Sequence, residues 1–138
     1  MKDEQYYHNR INDLKYHNAV KHIRTLICDH HNRVAKFVPN TETFYYIGKT
    51  HISETHTIID RIKEHEKNCA NVSMLYLIEE CTSKFPIEEL EKWCISEYIN
   101  DKYCTNKVIG SQGDKQDNAT KYYLYLIIWE EKPKNHSV

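Results

Sequence analysis

The sequence predicts an α+β domain: a small antiparallel sheet of three or four strands flanked by helices, with an extra helical segment at its N-terminus. Three observations carry that expectation. Apolar residues recur at helical spacing in some stretches and at strand spacing in others. Turn-forming clusters separate the two kinds of stretch. A length of 138 residues, 40% of them apolar, is enough for one core and too little for two full domains.

Taken in order, residues 4–31 set Ile11, Leu14, Val20, Ile23 and Ile27 near one helical stripe, which predicts one or two helices. The runs Arg33–Val38 and Phe44–Gly48 flank Pro39-Asn40-Thr41-Glu42-Thr43, a connection whose length and Pro-Asn start suit a β-hairpin. Thr57-Ile58-Ile59-Asp60 has the form of a capping box, in which hydroxyl and carboxylate each satisfy a free backbone N–H, so a helix over Ile58–Lys67 follows. Ser73–Glu80 alternates two apolar sets, Met74/Tyr76/Ile78 and Leu75/Leu77, as a strand buried on both faces does. Pro86 suits the first turn of a helix running to about Asn100. Residues 110–120 are turn-rich and polar, and Tyr122–Trp129 reads as a final strand. The expected organisation is a helical segment over 1–32, a core domain over 33–130 and a charged tail over 131–138.

Composition removes several classes of function. The longest apolar run, Tyr122–Trp129, falls far short of the ~20 residues a membrane-spanning helix needs. The start, Met1-Lys2-Asp3-Glu4, lacks the basic and then apolar pattern of a signal peptide. Five cysteines without a CxxC pair fit reduced thiols. These features lead us to expect an intracellular protein, cytoplasmic or nuclear, that is not secreted and has no membrane partner. With only Gly48, Gly110 and Gly113, neither a GxGxxG fingerprint nor a P-loop can be written. The G-x-S-x-G and H-E-x-x-H signatures are absent as well. A net charge of −1 means that any anionic partner must be held by a local patch.

Three local patterns could carry chemistry. In the helix after Pro86, Ile87, Leu90, Cys94, Ile95 and Tyr98 form an apolar stripe at 100° per residue, and Glu91 falls in its middle. A carboxylate turned into a core must be paired, protonated or bound to a cation, because leaving it bare costs several kcal/mol. A structural ion pair serves this pattern as well as a functional site does. Arg61 and His65 share one helix face, setting a fixed positive charge beside a titratable group, although such faces usually point to water. In Phe44-Tyr45-Tyr46-Ile47-Gly48-Lys49-Thr50, alternation separates Tyr46 from Tyr45, and a glycine followed by a lysine permits close approach of an anion.

Together these residues resemble the ordered signature of the GIY-YIG nuclease family: Tyr46-Ile47-Gly48-Lys49-Thr50, then Arg61 with His65, a strand, Leu90-Glu91 with Ile95, and Asn106. The resemblance covers roughly residues 34–107. It departs from the family at the preceding strand, where the family has a Gly-Ile-Tyr segment and this chain has Ala35-Lys36-Phe37-Val38. Tyr45, or Tyr6 and Tyr7, are the candidates to refill that place. The stretch His51–His56 also reads as an insertion.

The resemblance implies a GIY-YIG-like fold and a metal-dependent endonuclease that hydrolyses DNA at a single-metal site. Glu91 would carry Mg²⁺ or Mn²⁺, a hard cation that completes its shell with waters and phosphate. Tyr46 would orient or deprotonate the attacking water, with Lys49 or the metal favouring the phenolate. Arg61 would neutralise charge on the phosphoryl oxygens. His65 would assist proton transfer or hold a phosphate, Asn106 would anchor the site, and Lys49, Asn106 and Arg33 would contact substrate. The implied partner is DNA, with RNA as the second choice, and cutting both strands calls for a homodimer or successive nicks. The rival reading, motivated by Phe37, is a nucleic-acid-binding or protein-interaction module that keeps the fold with weak or no catalysis.

Overall fold

A computed structural model describes residues 2–13, 19–68, 71–107 and 119–131. The elements are α1 (Glu4–His8), β1 (Ile11–Asp13), a 3₁₀ turn (Ala19–His22), α2 (Ile23–Ala35), β2 (Glu42–Ile52), α3 (Ile58–Asn68), β3 (Met74–Cys81), α4 (Lys84–Tyr98) and β4 (Lys121–Glu131). The fold is α+β, with a four-stranded sheet in the order β1-β3-β4-β2. Most of the turn-rich stretch 110–120 and of the tail 131–138 lies outside the described residues. Among the described residues no helix is long and apolar enough to cross a membrane.

The sheet is mixed, which corrects the antiparallel expectation. β4 pairs antiparallel with β2 and with β3, but β1 runs parallel to β3, with Ile11 opposite Leu75. Residues 1–32 are accordingly not a purely helical segment. Ile11 was grouped with a helical stripe, yet Asn12 and Asp13 are poor helix formers, and the otherwise open edge of β3 offers a ladder that a three-residue strand can use.

The expected hairpin is also replaced. Arg33–Val38 continues α2 and its terminal turn, and the antiparallel partner of β2 is β4. Val34 lies four residues beyond buried His30, so it extends the inward stripe of α2 rather than starting a strand. The helix stops before Pro39, which disfavours helical geometry at Val38. Asn40 then takes a left-handed conformation at φ 65°, and Thr41 Oγ1 donates to the Val38 carbonyl at 3.2 Å. Phe37, in the place where a site tyrosine was sought, is 85% exposed. The boundary drawn at residue 33 therefore falls inside a helix.

The remaining elements follow their local signals. Thr57 N–H donates to Asp60 Oδ2 at 2.8 Å and Asp60 N–H to Thr57 Oγ1 at 3.4 Å, the reciprocal pair of a capping box at the start of α3. α4 begins two residues before Pro86, which keeps the proline in the first turn where no helix carbonyl awaits its missing N–H. One sheet face packs Ile47, Ile78, Leu124 and Leu126 against Ile23 of α2 and Ile87, Cys94 and Ile95 of α4. The other packs Leu75, Leu77, Tyr125 and Ile127 against Ile58 and Ile62 of α3 and Tyr7 of α1. Each fully buried aliphatic side chain contributes about 1.5–3 kcal/mol, so the two layers hold α3 and α4 firmly on opposite faces.

The outer edge of β2 is covered along its first half. Tyr45 N–H donates to the Tyr103 carbonyl at 3.1 Å and Thr105 N–H to the Tyr45 carbonyl at 2.9 Å. Buried Asn106 then imitates one more strand residue. Its Oδ1 accepts from Ile47 N–H at 2.9 Å and its Nδ2 donates to the Ile47 carbonyl at 2.8 Å. That clamp sets the position of Tyr46 and Gly48 on either side of Ile47.

Candidate functional site

Beyond the Asn106 clamp, a cavity of about 310 Å³ opens at the C-terminal end of the edge strand β2, lined by α3 from one sheet face and α4 from the other. Tyr46, Lys49, Arg61 and Glu91, which sequence reasoning had singled out separately, all line it. Glu91 arrives from α4, on the stripe that also buries Ile87, Cys94 and Ile95, and is 1% exposed. The apolar stripe thus delivers one carboxylate to the cavity wall. Among the described residues no group of three or more His, Cys, Asp or Glu side chains could hold a metal ion. The donor set suits a hard cation held by one carboxylate and otherwise by water and a ligand oxygen, and does not suit a cation caged wholly by protein.

Arg61 is held in place from two directions. Its Nε donates to buried Thr50 Oγ1 at 3.3 Å, and its Nη1 lies 3.1 Å from Glu64 Oε2. Lys49 Nζ lies 3.8 Å from Glu88 Oε2, tying the cavity wall on β2 to the first half of α4. His51 and His56 stack with ring centroids 4.7 Å apart and complete one side of the cavity. The stretch His51–His56, read as an insertion, therefore begins as the end of β2 and continues as part of the wall.

A second phenol enters from the far end of the chain. Tyr125 on β4 lines the same cavity, with its ring centroid 6.2 Å from that of Tyr46. Gly48 is the cross-strand partner of Tyr125 and makes this approach possible. A Cβ at Gly48 would fall 2.5 Å from both Cζ and the hydroxyl oxygen of Tyr125 and 2.7 Å from Tyr46 Cε1. The glycine therefore makes room for a phenol of the protein itself, where the sequence suggested room for an anion. Neither Tyr45 nor the N-terminal tyrosines fill this place. The Tyr45 hydroxyl donates to Asp101 Oδ2 at 2.7 Å, Tyr6 to Glu66 at 3.2 Å, and Tyr7 is buried in the α1–α3 layer.

His65 stands behind the two phenols and is not part of the cavity wall. Its ring lies 5.0 Å from that of Tyr46, and its Nε2 pairs with the Tyr125 hydroxyl at 3.0 Å. Burial, aided by the Arg61 guanidinium and opposed by Glu64, pushes His65 down to about 4, so the imidazole is neutral at pH 7. Burial likewise raises the Tyr46 phenol. Glu91 adds to that rise and Arg61 opposes it. Tyr125, buried among the same groups, is also raised. Both phenols are consequently protonated at neutral pH, and each can donate or accept a hydrogen bond.

The substrate-contact candidates are scattered. Asn106 spends both amide atoms on Ile47 and acts as an anchor of the strand, not as a wall of the cavity. Arg33 sits on α2, where its Nη2 donates to the Tyr76 hydroxyl at 3.3 Å, outside this cavity. Among the cavity features that sequence reasoning missed are Tyr125, Thr50 and the clash-relieving role of Gly48. No local pattern marks them, because each depends on the register of β2 against β4 or on the approach of α3. Comparison of the chain with family models, curated proteins and solved structures returns no match.

Proposed function

We propose that this chain is a metal-dependent endonuclease of the GIY-YIG type, which hydrolyses DNA phosphodiester bonds at a single-metal site. The observation that carries the reading is the convergence on one cavity of Tyr46, Arg61 and Glu91, delivered by three different elements. Tyr125 adds to it. The resemblance expects a second tyrosine on the strand before Tyr46, and here β4, from the other end of the chain, pairs with β2 and supplies one. The rival reading, a nucleic-acid-binding or protein-interaction module with weak or no catalysis, drew on Phe37 in the expected tyrosine position, and a phenol from Tyr125 beside Tyr46 supports the catalytic reading over it.

Hydrolysis adds water to phosphorus and breaks one P–O ester bond, and negative charge builds on the non-bridging oxygens. Glu91 would hold Mg²⁺ or Mn²⁺, which supplies Lewis-acid charge neutralisation when bound. Arg61, fixed by Thr50 and Glu64 before substrate arrives, offers its guanidinium to the charged oxygens, and a preorganised donor of this kind lowers the barrier by about 3–4 kcal/mol. Tyr46 is a neutral phenol in the free protein and so orients the attacking water. With the Glu91 charge balanced, one of the two causes that raise Tyr46 would be removed while Arg61 still acts, which would ease loss of the phenol proton to solvent and leave a phenolate able to accept one from the attacking water. Neutral His65 holds the Tyr125 hydroxyl and packs on Tyr46, keeping the two phenols in register.

Incubation with supercoiled plasmid and Mg²⁺ or Mn²⁺ tests the proposal. Nicked or linear product is expected from the wild type, with none from Glu91→Gln at an unchanged fold. Equal cutting by both proteins would refute the role given to Glu91.

A further inference from the structure

His51 and His56 have no role in the hydrolysis just described, although both line the cavity together with Arg61, Glu64 and Glu91. Glu64 sets one oxygen on each of two basic groups. Its Oε2 lies 3.1 Å from Arg61 Nη1 and its Oε1 lies 3.1 Å from His56 Nε2. A carboxylate therefore sits on the guanidinium that hydrolysis needs for phosphate. We infer that Arg61 and His56 form a clamp for the scissile phosphate, and that Glu64 fills this clamp until substrate displaces it. The inference rests on the nuclease reading and adds a second basic group to its phosphate site.

Neither basic group depends on Glu64 alone for its place. Arg61 Nε donates to Thr50 Oγ1 at 3.3 Å. The His56 ring stacks on that of His51, its Nδ1 donates to the His51 carbonyl at 3.0 Å, and its own carbonyl accepts from Ser53 N–H at 3.0 Å. Nδ1 thus carries a proton, because a carbonyl can only accept. Nε2 then meets the Glu64 carboxylate favourably only when it carries a proton as well, so an anion at this place and the doubly protonated ring belong together. His51 is lowered, first by burial and then by His56 beside it, so it stays neutral and does not compete for the anion.

Glu64 is the member that can leave. Its side chain is 47% exposed, against 25% for Arg61 and 20% for His56. A carboxylate and a phosphodiester each bring one negative charge and two acceptor oxygens, so the exchange keeps the charge balance and both hydrogen bonds. With Glu64 in place, its charge would face the incoming phosphate in a cavity that already holds Glu91. Arg61 and Glu64 stand three residues apart on one face of α3, and a pair this exposed contributes little stability, so opening it costs little.

Titration of the full chain with inorganic phosphate and no added metal, followed by the NMR signals of the His56 ring and of Arg61 Nε–H, tests the clamp. Glu64→Gln should tighten phosphate binding at these signals by at least about tenfold over the wild type, with the melting temperature nearly unchanged. Adding His56→Ala should remove most of that gain as read at Arg61. Glu54→Gln, which takes the same charge from an exposed position in the loop between β2 and α3, should leave the affinity as in the wild type. No tightening in Glu64→Gln, equal tightening in Glu54→Gln, or a gain that survives the loss of His56 overturns the inference. Plasmid cutting by a chain whose Glu64→Gln variant shows no tightening removes the clamp alone. Tightening in a chain that cuts no nucleic acid supports the phosphate clamp and removes the nuclease reading beneath it.

Discussion

Glu130 and Glu91 are both taken out of water, and they differ in what surrounds them. Glu130, near the end of β4, lies 2.8 Å from His30 Nε2 of α2 and accepts from Ser73 Oγ. Burial alone would raise its carboxyl, but the close contact with His30 and the hydrogen bond from Ser73 outweigh that and hold it below the usual carboxylate range. That carboxylate ties α2 to the sheet and does not line the cavity. Glu91, on a helix that buries its neighbours, faces a cavity shared with an arginine and two protonated phenols. Burial of a carboxylate therefore does not by itself mark a site. Access to a cavity, with charge and proton donors around it, does.

The largest effect that can break this contrast comes from exchanging the charge at each place. Glu91→Gln should lower metal-dependent plasmid cutting by at least about a hundredfold to a thousandfold with the melting temperature nearly unchanged. Glu130→Gln should do the reverse, costing about 2 kcal/mol of stability while preserving the rate per folded molecule. Rates and denaturation midpoints of the two variants decide it, and a stability loss confined to Glu91→Gln would invert the assignment.

Gly48→Ala should come next, because it adds an atom only 2.5 Å from the Tyr125 ring. Overpacking of this kind costs about 1–3 kcal/mol, and separating Tyr125 from Tyr46 should slow cutting well beyond the unfolded fraction. Tyr125→Phe, which keeps the ring and loses the hydroxyl held by His65, distinguishes loss of space from loss of the hydrogen bond.

Much of this architecture was legible because it is local. The capping box at Thr57 and Asp60, the first-turn Pro86 and the helical stripe that isolates Glu91 are all short-range patterns, and each has its counterpart in the structure. What was illegible is long-range. Arg33–Val38 carries enough β-branched and aromatic character to read as a strand, but the hydrophobic face of α2 extends through Val34, and β4 takes the place beside β2. Ile11–Asp13 is too short to announce a strand and exists because the edge of β3 is there to receive it. Tyr125 looked like one tyrosine among several in an apolar run. Only the pairing of Gly48 with Tyr125 brings it to the site.

Acid sharpens the contrast more gently. His65 is neutral when folded, with its pKa down at about 4 against 6.5 for the free imidazole, so between those values the unfolded chain binds more protons and stability falls as pH falls. The contribution is complete above pH 6.5 and amounts to about 2–4 kcal/mol. Glu130, depressed when folded, contributes in the same direction but only below its ordinary 4.5. Denaturation midpoints across pH 7 to 3 should therefore fall in two stages. His51, also lowered by burial, adds to the upper stage, so His65→Gln should reduce that stage without abolishing it and leave the lower one, whereas an unchanged upper stage would mean that His65 does not titrate as described.

The most direct measurement is the position of manganese by its anomalous scattering in crystals of the protein. A peak about 2 Å from the Glu91 carboxylate, in the cavity bounded by Tyr46 and Arg61, is the predicted result. Manganese found only at other carboxylates, with none at Glu91, would contradict the account.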